Sequence, residues 1–335
     1  MSTAFSSPAK KTSSVHPTIG ILSGPMATGK SSLALHLTSL LPSLEIINAD
    51  SLLVYRGLDI GTAKPTPSEL KQVRHHLVDI VDPDQSFTAG EFYRRAQEAI
   101  CEIQERGKQP LIVGGTGFYL KSLIFGLWKA PPSDPALRQQ LENNSNELLH
   151  QELLRIDPAS AQRIGKADRY RLIRALEIYR LSGKSPSELE QETHREPDPR
   201  FRLWILDRTT DEMEIRIAKR TQMMVDQGLI NEYQNQIAQF PSSRALGAIG
   251  YAQVRDFLAG IPPSGRKPRP GIQGLIDEIQ LATRQLLKQQ RTWFKNQSRQ
   301  IPQSRWFLLD QQLPELLNEA ICLYKKESQK KKPNE

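Results

Sequence analysis

The 335-residue chain lacks the features of a secreted, membrane-spanning or disulfide-linked protein. It has 2 cysteines, Cys101 and Cys322, which are far apart and lack a metal-ligand spacing, as is usual in a reducing compartment. No apolar run approaches the roughly 18 residues of a membrane span. Residues 1–16 contain no acid and no apolar segment of a secretory signal. These absences predict a cytoplasmic protein without a membrane segment, and residues 1–16 are predicted to be a disordered tail. We also expect the protein to be a monomer.

Positive charge is in excess and is concentrated near the C-terminal end. The formal net charge is +8, and from Arg255 to Arg305 ten basic residues face three acidic ones. Within this segment a set of cations recurs at helical spacing, namely Arg284, Lys288, Arg291, Lys295 and Arg299. The opposite face is expected to be buried and comprises Leu275, Ile279, Ala282, Leu286 and Trp293. Because almost no acids are interleaved, a phosphate backbone suits this face better than solvent alone. Residues 326–335 are predicted to be a solvated basic tail.

A phosphate-binding loop is the most informative motif. Its residues, which fit the pattern G-x-x-x-x-G-K-S/T, are Gly24, Pro25, Met26, Ala27, Thr28, Gly29, Lys30 and Ser31. The preceding residues 18–22 are typical of a buried strand, and those after Ser31 open a helix. This order aims backbone N–H groups and a helix dipole at one anion. Lys30 would reach the phosphates and the Ser31 hydroxyl would ligate Mg²⁺, so the loop predicts a di- or triphosphate ligand.

Strand and helix patterns alternate in the N-terminal third, which predicts a parallel sheet. We predict strands at 19–23, 44–50, 76–81 and 110–113 and helices at 31–41 and 88–106, with Thr88 and Glu91 forming a capping box. Proline-rich breaks flank a helical stretch, and residues 201–206 return as a strand. Helices follow at 211–227, 229–240 and 274–297, the last after a loop over 260–274. The predicted fold is α/β, with a P-loop NTPase-like parallel-sheet core (17–132 and 199–325), a helical insertion (133–198) and additional C-terminal helices.

A carboxylate lies where ligands bind in such a fold. Asp50 follows the second predicted strand, at the edge of the sheet to which the phosphate loop belongs. It could accept a proton from a nucleophile, hold magnesium through water, or simply cap the following turn.

Residues 50–65, which include the run Asp-Ile-Gly-Thr-Ala-Lys-Pro, closely resemble the signature of the tRNA dimethylallyltransferases. Further segments are similar to that family, namely 75–79, 114–119, 171–177, 248–251, 282–286 and 292–294. The resemblance spans about residues 18 to 310, in order.

The resemblance implies that the phosphate loop binds the pyrophosphate of dimethylallyl diphosphate, with Mg²⁺ as cofactor. The exocyclic amine of the adenine on the 3′ side of the anticodon would attack the allyl carbon, and pyrophosphate would leave. Asp50 would be the general base, Arg220 would act on the pyrophosphate, and Thr116 would contact the nucleotide. The target adenine must be extruded from the anticodon loop of the tRNA, as in other base-modifying enzymes.

The resemblance also implies a tRNA interface, with the insertion clamping the anticodon stem-loop. Its predicted residues are Asp50, Ser51, Leu52, Leu53, Thr116, Arg138, Tyr170, Arg171, Arg174, Gly250, Tyr251, Thr283, Arg284 and Lys288. The sequence departs from the family pattern at four positions, Met26, Leu53, Ala252 and Gln289. Other readings of the loop are a small-molecule kinase, an enzyme that prenylates free adenylates, and a non-catalytic nucleotide-dependent RNA-binding module.

Overall fold

The structure, a computed structural model, describes residues 18–127, 130–192, 196–263 and 269–330, with side chains as far as 325. Its strands are β1 Ile19–Ser23, β2 Leu44–Asn48, β3 His75–His76, β4 Gln109–Val113, β5 Phe201–Asp207 and β6 Ser304–Leu308. The first helices are α1 Lys30–Leu40, α2 Pro67–Gln72, α3 Ala89–Glu105 and α4 Gly117–Phe125. Then come α5 Pro135–Glu142, α6 Asn146–Ile156, α7 Pro158–Arg163, α8 Arg169–Ser182 and α9 Pro186–Glu192. The remaining helices are α10 Thr210–Asp226, α11 Leu229–Gln239, α12 Tyr251–Leu258, α13 Gly271–Ser298 and α14 Leu309–Lys330.

The six strands form one parallel sheet in the order β3-β2-β4-β1-β5-β6. Strands β1, β2 and β4 are buried along their whole length, as expected for a parallel sheet covered on both faces. The carboxyl ends of β2, β4 and β1 are neighbours in this order. The fold therefore brings Asp50, Thr116 and the phosphate loop to the same edge, where ligands bind in open α/β sheets.

The chain divides into two compact units, one made of Met1–Ile124 and Pro197–Glu335 and the other of Phe125–Glu196. In the first unit, apolar residues of the sheet, α1 and α14 form one core, and a second core joins residues of α10 to α13. The second unit contains α5 to α9 around its own core, which includes Leu141, Leu149, Leu172 and Leu176. It begins at Phe125, whereas the sequence placed the start of the insertion at 133. No helix in the described ranges is long and apolar enough to span a bilayer.

The predicted cap of α3 is confirmed at Thr88, which accepts a hydrogen bond from the Glu91 N–H at 3.2 Å. The predicted capping box is wrong, because the Glu91 carboxylate pairs with Arg94 and Arg95 instead. In the second unit, Asp168 caps α8, and Gly183 ends this helix in the left-handed conformation.

One predicted strand is wrong in its extent. The strand expected over 76–81 is reduced to His75–His76, because the backbone turns to positive φ at Leu77 and Asp79 and leaves the ladder. The last helix, α14, extends to Lys330 and is anchored by buried Leu316 and Tyr324, while the solvated basic tail over 326–335 stays a prediction. Residues 1–16 and 331–335 lie outside the described residues.

Candidate functional site

The phosphate loop connects β1 to α1 and is shaped by close packing. Gly24 has φ +140°, and a Cβ there would lie 2.2 Å from the carbonyl oxygen of Leu206 on the neighbouring β5, so only glycine fits. The Lys30 ammonium donates hydrogen bonds to the carbonyls of Gly24 and Pro25 at 3.0 and 2.7 Å. Thr28 donates to the same Pro25 carbonyl at 2.9 Å. These bonds close the loop upon itself, with the ammonium held at its rim.

Two arginines hold other carbonyls of the loop. Arg216 Nε donates to the Ala27 carbonyl at 2.7 Å, and Arg208 Nε donates to the Thr28 carbonyl at 2.9 Å. Ala27 needs support because it has φ +61°, which is unfavourable for a residue with a side chain. With these carbonyls bound to arginines, backbone N–H groups of the loop remain for an anion.

Asp50 is fixed by the residues on either side of it. The Asn48 side chain accepts from the Asp50 N–H at 2.8 Å and donates to the Asp50 carbonyl at 3.0 Å. One carboxylate oxygen of Asp50 accepts the Leu52 N–H at 2.9 Å, which leaves the other oxygen for a substrate. The Thr116 hydroxyl accepts the Ser51 N–H at 2.9 Å. Asp50, Ser51 and Thr116 are therefore brought together, as the sequence predicted, whereas Leu52 and Leu53 are only partly exposed beside them.

Arg220 reaches the site from α10. Its Nη2 donates to the Thr62 carbonyl at 3.2 Å. Burial lowers the pKa of Arg220, and the nearby Asp50 carboxylate opposes this effect. Burial likewise lowers the pKa of Lys30 to about 8, with Asp50 raising it and Arg220 lowering it further. The three charged groups are thus close enough to act on one another.

The turn that presents Thr62 belongs to the signature segment 50–65. One Glu232 carboxylate accepts the N–H groups of Asp59, Ile60 and Gly61 at 2.9, 2.8 and 3.0 Å. It also accepts the hydroxyl of Tyr251 at 2.6 Å. A Cβ on Gly61 would lie 2.5 Å from the Tyr251 ring, which explains the glycine.

Lys64 completes this turn by binding Asp59, Asp79 and the Tyr55 carbonyl at 2.5, 2.5 and 2.8 Å. These hydrogen bonds and ion pairs fix the turn of the signature segment that presents the Thr62 carbonyl to Arg220.

A small cavity of about 30 Å³ opens between the phosphate loop, α10 and α13. Its lining is apolar apart from Arg220 and two threonines, and comprises Met26, Ala27, Gly61, Ile217, Arg220, Thr221, Met224, Ile249, Gly250, Ile279 and Thr283. An apolar space beside a phosphate loop suits a short hydrocarbon attached to a phosphate.

Two residues predicted to touch RNA are buried. The Tyr251 side chain is 0% exposed and bound to Glu232, and the Thr283 residue is 7% exposed. Neither side chain is exposed on the surface, because Tyr251 packs inside the core and Thr283 lines the cavity. Their contact with tRNA stays a prediction. Gly250 also lines this cavity.

The basic face of α13 is only partly as expected. Lys288, Lys295 and Arg299 are exposed and Arg284 is half-buried. Arg291 is also half-buried, and it pairs with Asp207 at 2.9 Å and donates to the Arg208 carbonyl at 2.7 Å, so its charge already has a partner within the protein.

On the buried side of α13, Leu275 and Ile279 are buried as predicted, while Ala282, Leu286 and Trp293 are only partly so.

The second unit presents a mixed cluster. Arg138 and Arg174 bind the fully buried Glu177 carboxylate at 3.2 and 2.5 Å. Although burial acts to raise it, hydrogen bonds from Arg174 and Ser133 lower the pKa of Glu177. Both arginines thus have a structural partner in Glu177. Their contact with tRNA stays a prediction. Tyr170 and Arg171 remain exposed, the Arg171 side chain at 69% beside Asp168.

The metal prediction concerns Ser31, in the first turn of α1, which is solvent-exposed. Within the described ranges no group of three or more His, Cys, Asp or Glu side chains could ligate a metal. This donor set fits a magnesium ion that is bound mainly by phosphate oxygens and water and needs one or two protein ligands.

Sequence reasoning missed five supporting residues: Asn48, Arg208, Arg216, Glu232 and Gln290. Gln290, on α13, accepts the Met26 N–H at 2.8 Å. Four of them are far in sequence from the groups they bind, so no short sequence motif marks them. Asn48 is the exception, because it lies two residues before Asp50 and an Asn at that spacing commonly bonds the backbone.

A parallel sheet with a phosphate loop after β1 and a carboxylate after β2 defines a protein of the P-loop NTPase-like class. A family model described as IPP transferase matches residues 53–297. The chain is 41% identical over 285 residues to a tRNA dimethylallyltransferase of Geobacter sulfurreducens, covering 82% of this chain and 88% of that relative. It is also 41% identical over 288 residues to a tRNA dimethylallyltransferase of Synechococcus, covering 85% and 90%.

Among solved structures, the fold is similar to a tRNA isopentenylpyrophosphate transferase of Bacillus halodurans. The TM-score is 0.64 and the identity 33%, over 94% of this chain and 99% of that one. The chain belongs to the IPP transferase family.

Proposed function

We propose that this protein transfers the dimethylallyl group of dimethylallyl diphosphate to the exocyclic amine of the adenine adjacent to the anticodon of tRNA, on its 3′ side. The observation that carries the proposal is the convergence of Asp50, Lys30 and Arg220 beside the apolar cavity. Family membership and relatives named tRNA dimethylallyltransferase support it.

The donor half is the phosphate loop, Gly24 to Ser31. In the proposed reaction the C–O bond of the allyl group breaks and its electron pair leaves with pyrophosphate. Lys30, Arg220 and the loop N–H groups stabilise the charge that grows on this leaving group, and such preorganised donors act strongly in a site shielded from water. Ser31 would ligate Mg²⁺, which supplies further charge neutralisation to the diphosphate when bound. The apolar cavity takes the hydrocarbon.

The acceptor half is formed by Asp50, Ser51 and Thr116. The amine nitrogen attacks the allylic carbon as the C–O bond breaks, and the N–C bond forms. The amine proton passes to the free oxygen of Asp50, which is the general base. Thr116, whose hydroxyl is already oriented by Ser51, would position the adenine.

RNA binding is assigned to the exposed Lys288, Lys295 and Arg299 and the half-buried Arg284 on α13, and to Tyr170 and Arg171 on the second unit. Cations along a helix suit the backbone of a stem, and an exposed aromatic suits an unstacked base. The proposal includes that the protein acts as a monomer in the cytoplasm.

An acceptor experiment separates this function from the prenylation of free adenylates and from a kinase. The protein is incubated with labelled dimethylallyl diphosphate, Mg²⁺ and either an anticodon stem-loop or adenosine monophosphate. We expect label in the stem-loop only. Label in the free nucleotide, or ADP formed from ATP when it replaces the allylic donor, would contradict the proposal.

A further inference from the structure

Gln290 joins α13 to both chain segments that form the site. Its Oε1 accepts the Met26 N–H of the phosphate loop at 2.8 Å, and its Nε2 lies 3.5 Å from the Gly115 carbonyl oxygen. Met26 follows β1 and Gly115 follows β4, and these two strands are neighbours in the sheet. One side-chain amide therefore bridges the ends of two strands.

This amide lies next to the charged centre. A Cβ built on Gly115 would be 3.6 Å from Gln290 Nε2 and also 3.6 Å from Lys30 Nζ. Met26, the other partner, lines the cavity together with Arg220. Gln290 is thus placed at the junction of phosphate loop, ammonium and cavity.

Gly115 also leads directly to the acceptor half. The next residue, Thr116, accepts the Ser51 N–H at 2.9 Å, and Ser51 follows Asp50. The link through Gln290 therefore runs from the loop that would bind the diphosphate to the turn that would hold the adenine.

The neighbouring Arg291 supports this link. It binds Asp207 at 2.9 Å and the Arg208 carbonyl at 2.7 Å, and Arg208 in turn donates to the Thr28 carbonyl at 2.9 Å. Two consecutive residues of one helix thus restrain the phosphate loop at Met26 and at Thr28.

We infer that Gln290 is a positioning residue that sets the spacing between the diphosphate and the acceptor amine. The inference rests on the proposed function. A nucleophile and its target must be aligned within a fraction of an ångström, and a displacement of about 1 Å costs roughly 10²-fold in rate. The loss should appear in the chemical step, because each substrate retains its own binding residues.

The test uses Gln290→Ala with Gln289→Ala as its matched control, since Gln289 is the adjacent exposed residue. Single-turnover prenylation of the stem-loop is measured at saturating dimethylallyl diphosphate, together with binding of pyrophosphate with Mg²⁺ and of the stem-loop alone. We expect the Gln290→Ala rate to fall by about 10²-fold with both affinities unchanged. Gln289→Ala should match the wild type in all three measurements.

A second variant tests the placement of the amide if Gln290→Ala unfolds. Gln290→Glu retains an acceptor for the Met26 N–H but loses the donor to Gly115 and adds a negative charge beside Lys30. At saturating dimethylallyl diphosphate it should prenylate as slowly as Gln290→Ala, because the bond to the Gly115 carbonyl is lost in both variants.

Either of two results overturns the inference: wild-type single-turnover rates in a folded Gln290 variant, or loss that is confined to substrate affinity. If the wild type itself transfers no dimethylallyl group, the proposed function fails. A wild type that prenylates alongside an unimpaired Gln290→Ala refutes only the role of Gln290.

Discussion

Arg220 donates a hydrogen bond to the main-chain carbonyl of Thr62 at 3.2 Å, and the turn that presents this carbonyl is held by a single carboxylate, that of Glu232. The guanidinium that would act on the leaving group is therefore oriented by backbone, and the backbone by a side chain 171 positions away in the chain from Gly61. This relationship gives the most specific part of the family signature a physical role. In this role the signature segment contributes through the backbone conformation of its turn, which places the Thr62 carbonyl beside Arg220.

Glu232→Gln should slow the reaction through Arg220. A neutral amide cannot accept all three N–H groups and the Tyr251 hydroxyl, so the turn relaxes and the Thr62 carbonyl moves. A double-mutant cycle that combines Glu232→Gln with Arg220→Ala, with kcat as the measured quantity, tests whether Glu232 acts through Arg220. We expect Glu232→Gln to lower kcat in the wild type and to have little further effect when Arg220 is already absent. Additive losses of kcat would show that Glu232 acts independently of Arg220.

Asp50→Asn keeps the shape of the side chain and its bond to the Leu52 N–H but cannot accept a proton. General-base loss costs about 10²–10⁴-fold in rate. We therefore predict that kcat falls by this factor while the stem-loop affinity, measured by fluorescence anisotropy, is unchanged. Near wild-type turnover would assign Asp50 a structural role.

Lys30 should make diphosphate binding pH-dependent. Burial lowers the pKa of Lys30 to about 8, so the free protein loses this positive charge as the pH rises through that value. Pyrophosphate affinity should then fall above about pH 8. Lys30→Arg keeps its charge across this range because arginine titrates above about 12, and its affinity should stay level. A parallel fall in both proteins would assign the pH dependence to another group.

Lys288 and Lys295 lie on the exposed side of α13, whereas Arg291 is engaged by Asp207. Each cation that neutralises a backbone phosphate contributes about 0.9 to the slope of log affinity against log salt on duplex nucleic acid. Replacing both lysines by glutamine should make the slope shallower by roughly one to two units for an anticodon stem-loop.

The matched control for that experiment replaces Lys71 and Lys108 by glutamine. These two lysines precede β3 and β4, so they lie before the amino ends of these strands, whereas the site lies at the carboxyl ends. An equal change of slope in the control would indicate a general effect of net charge.

The sequence was sufficient for features whose causes are local. The phosphate loop, the cap at Thr88 and the return of β5 follow from residue types at short spacing. It was insufficient where distant residues decide the outcome. Gln290 meets Met26 across 264 positions, so no local pattern marks it.

The basic face of α13 shows the same limit. Helical spacing places Arg284, Lys288 and Arg291 together, but the sheet residue Asp207 pairs with Arg291 and engages its charge. The burial of Tyr251 likewise depends on Glu232, which belongs to another helix.

The central claim is the transfer of an allyl group to one adenine with release of pyrophosphate. The most direct measurement is mass spectrometry of nucleosides from a stem-loop incubated with the protein, dimethylallyl diphosphate and Mg²⁺, with pyrophosphate quantified in the same reaction. We expect one pyrophosphate for each dimethylallyl adenosine, and the modified adenosine only at the position 3′ to the anticodon. Pyrophosphate release without a modified adenine, or an unmodified stem-loop with ATP converted to ADP, would contradict it.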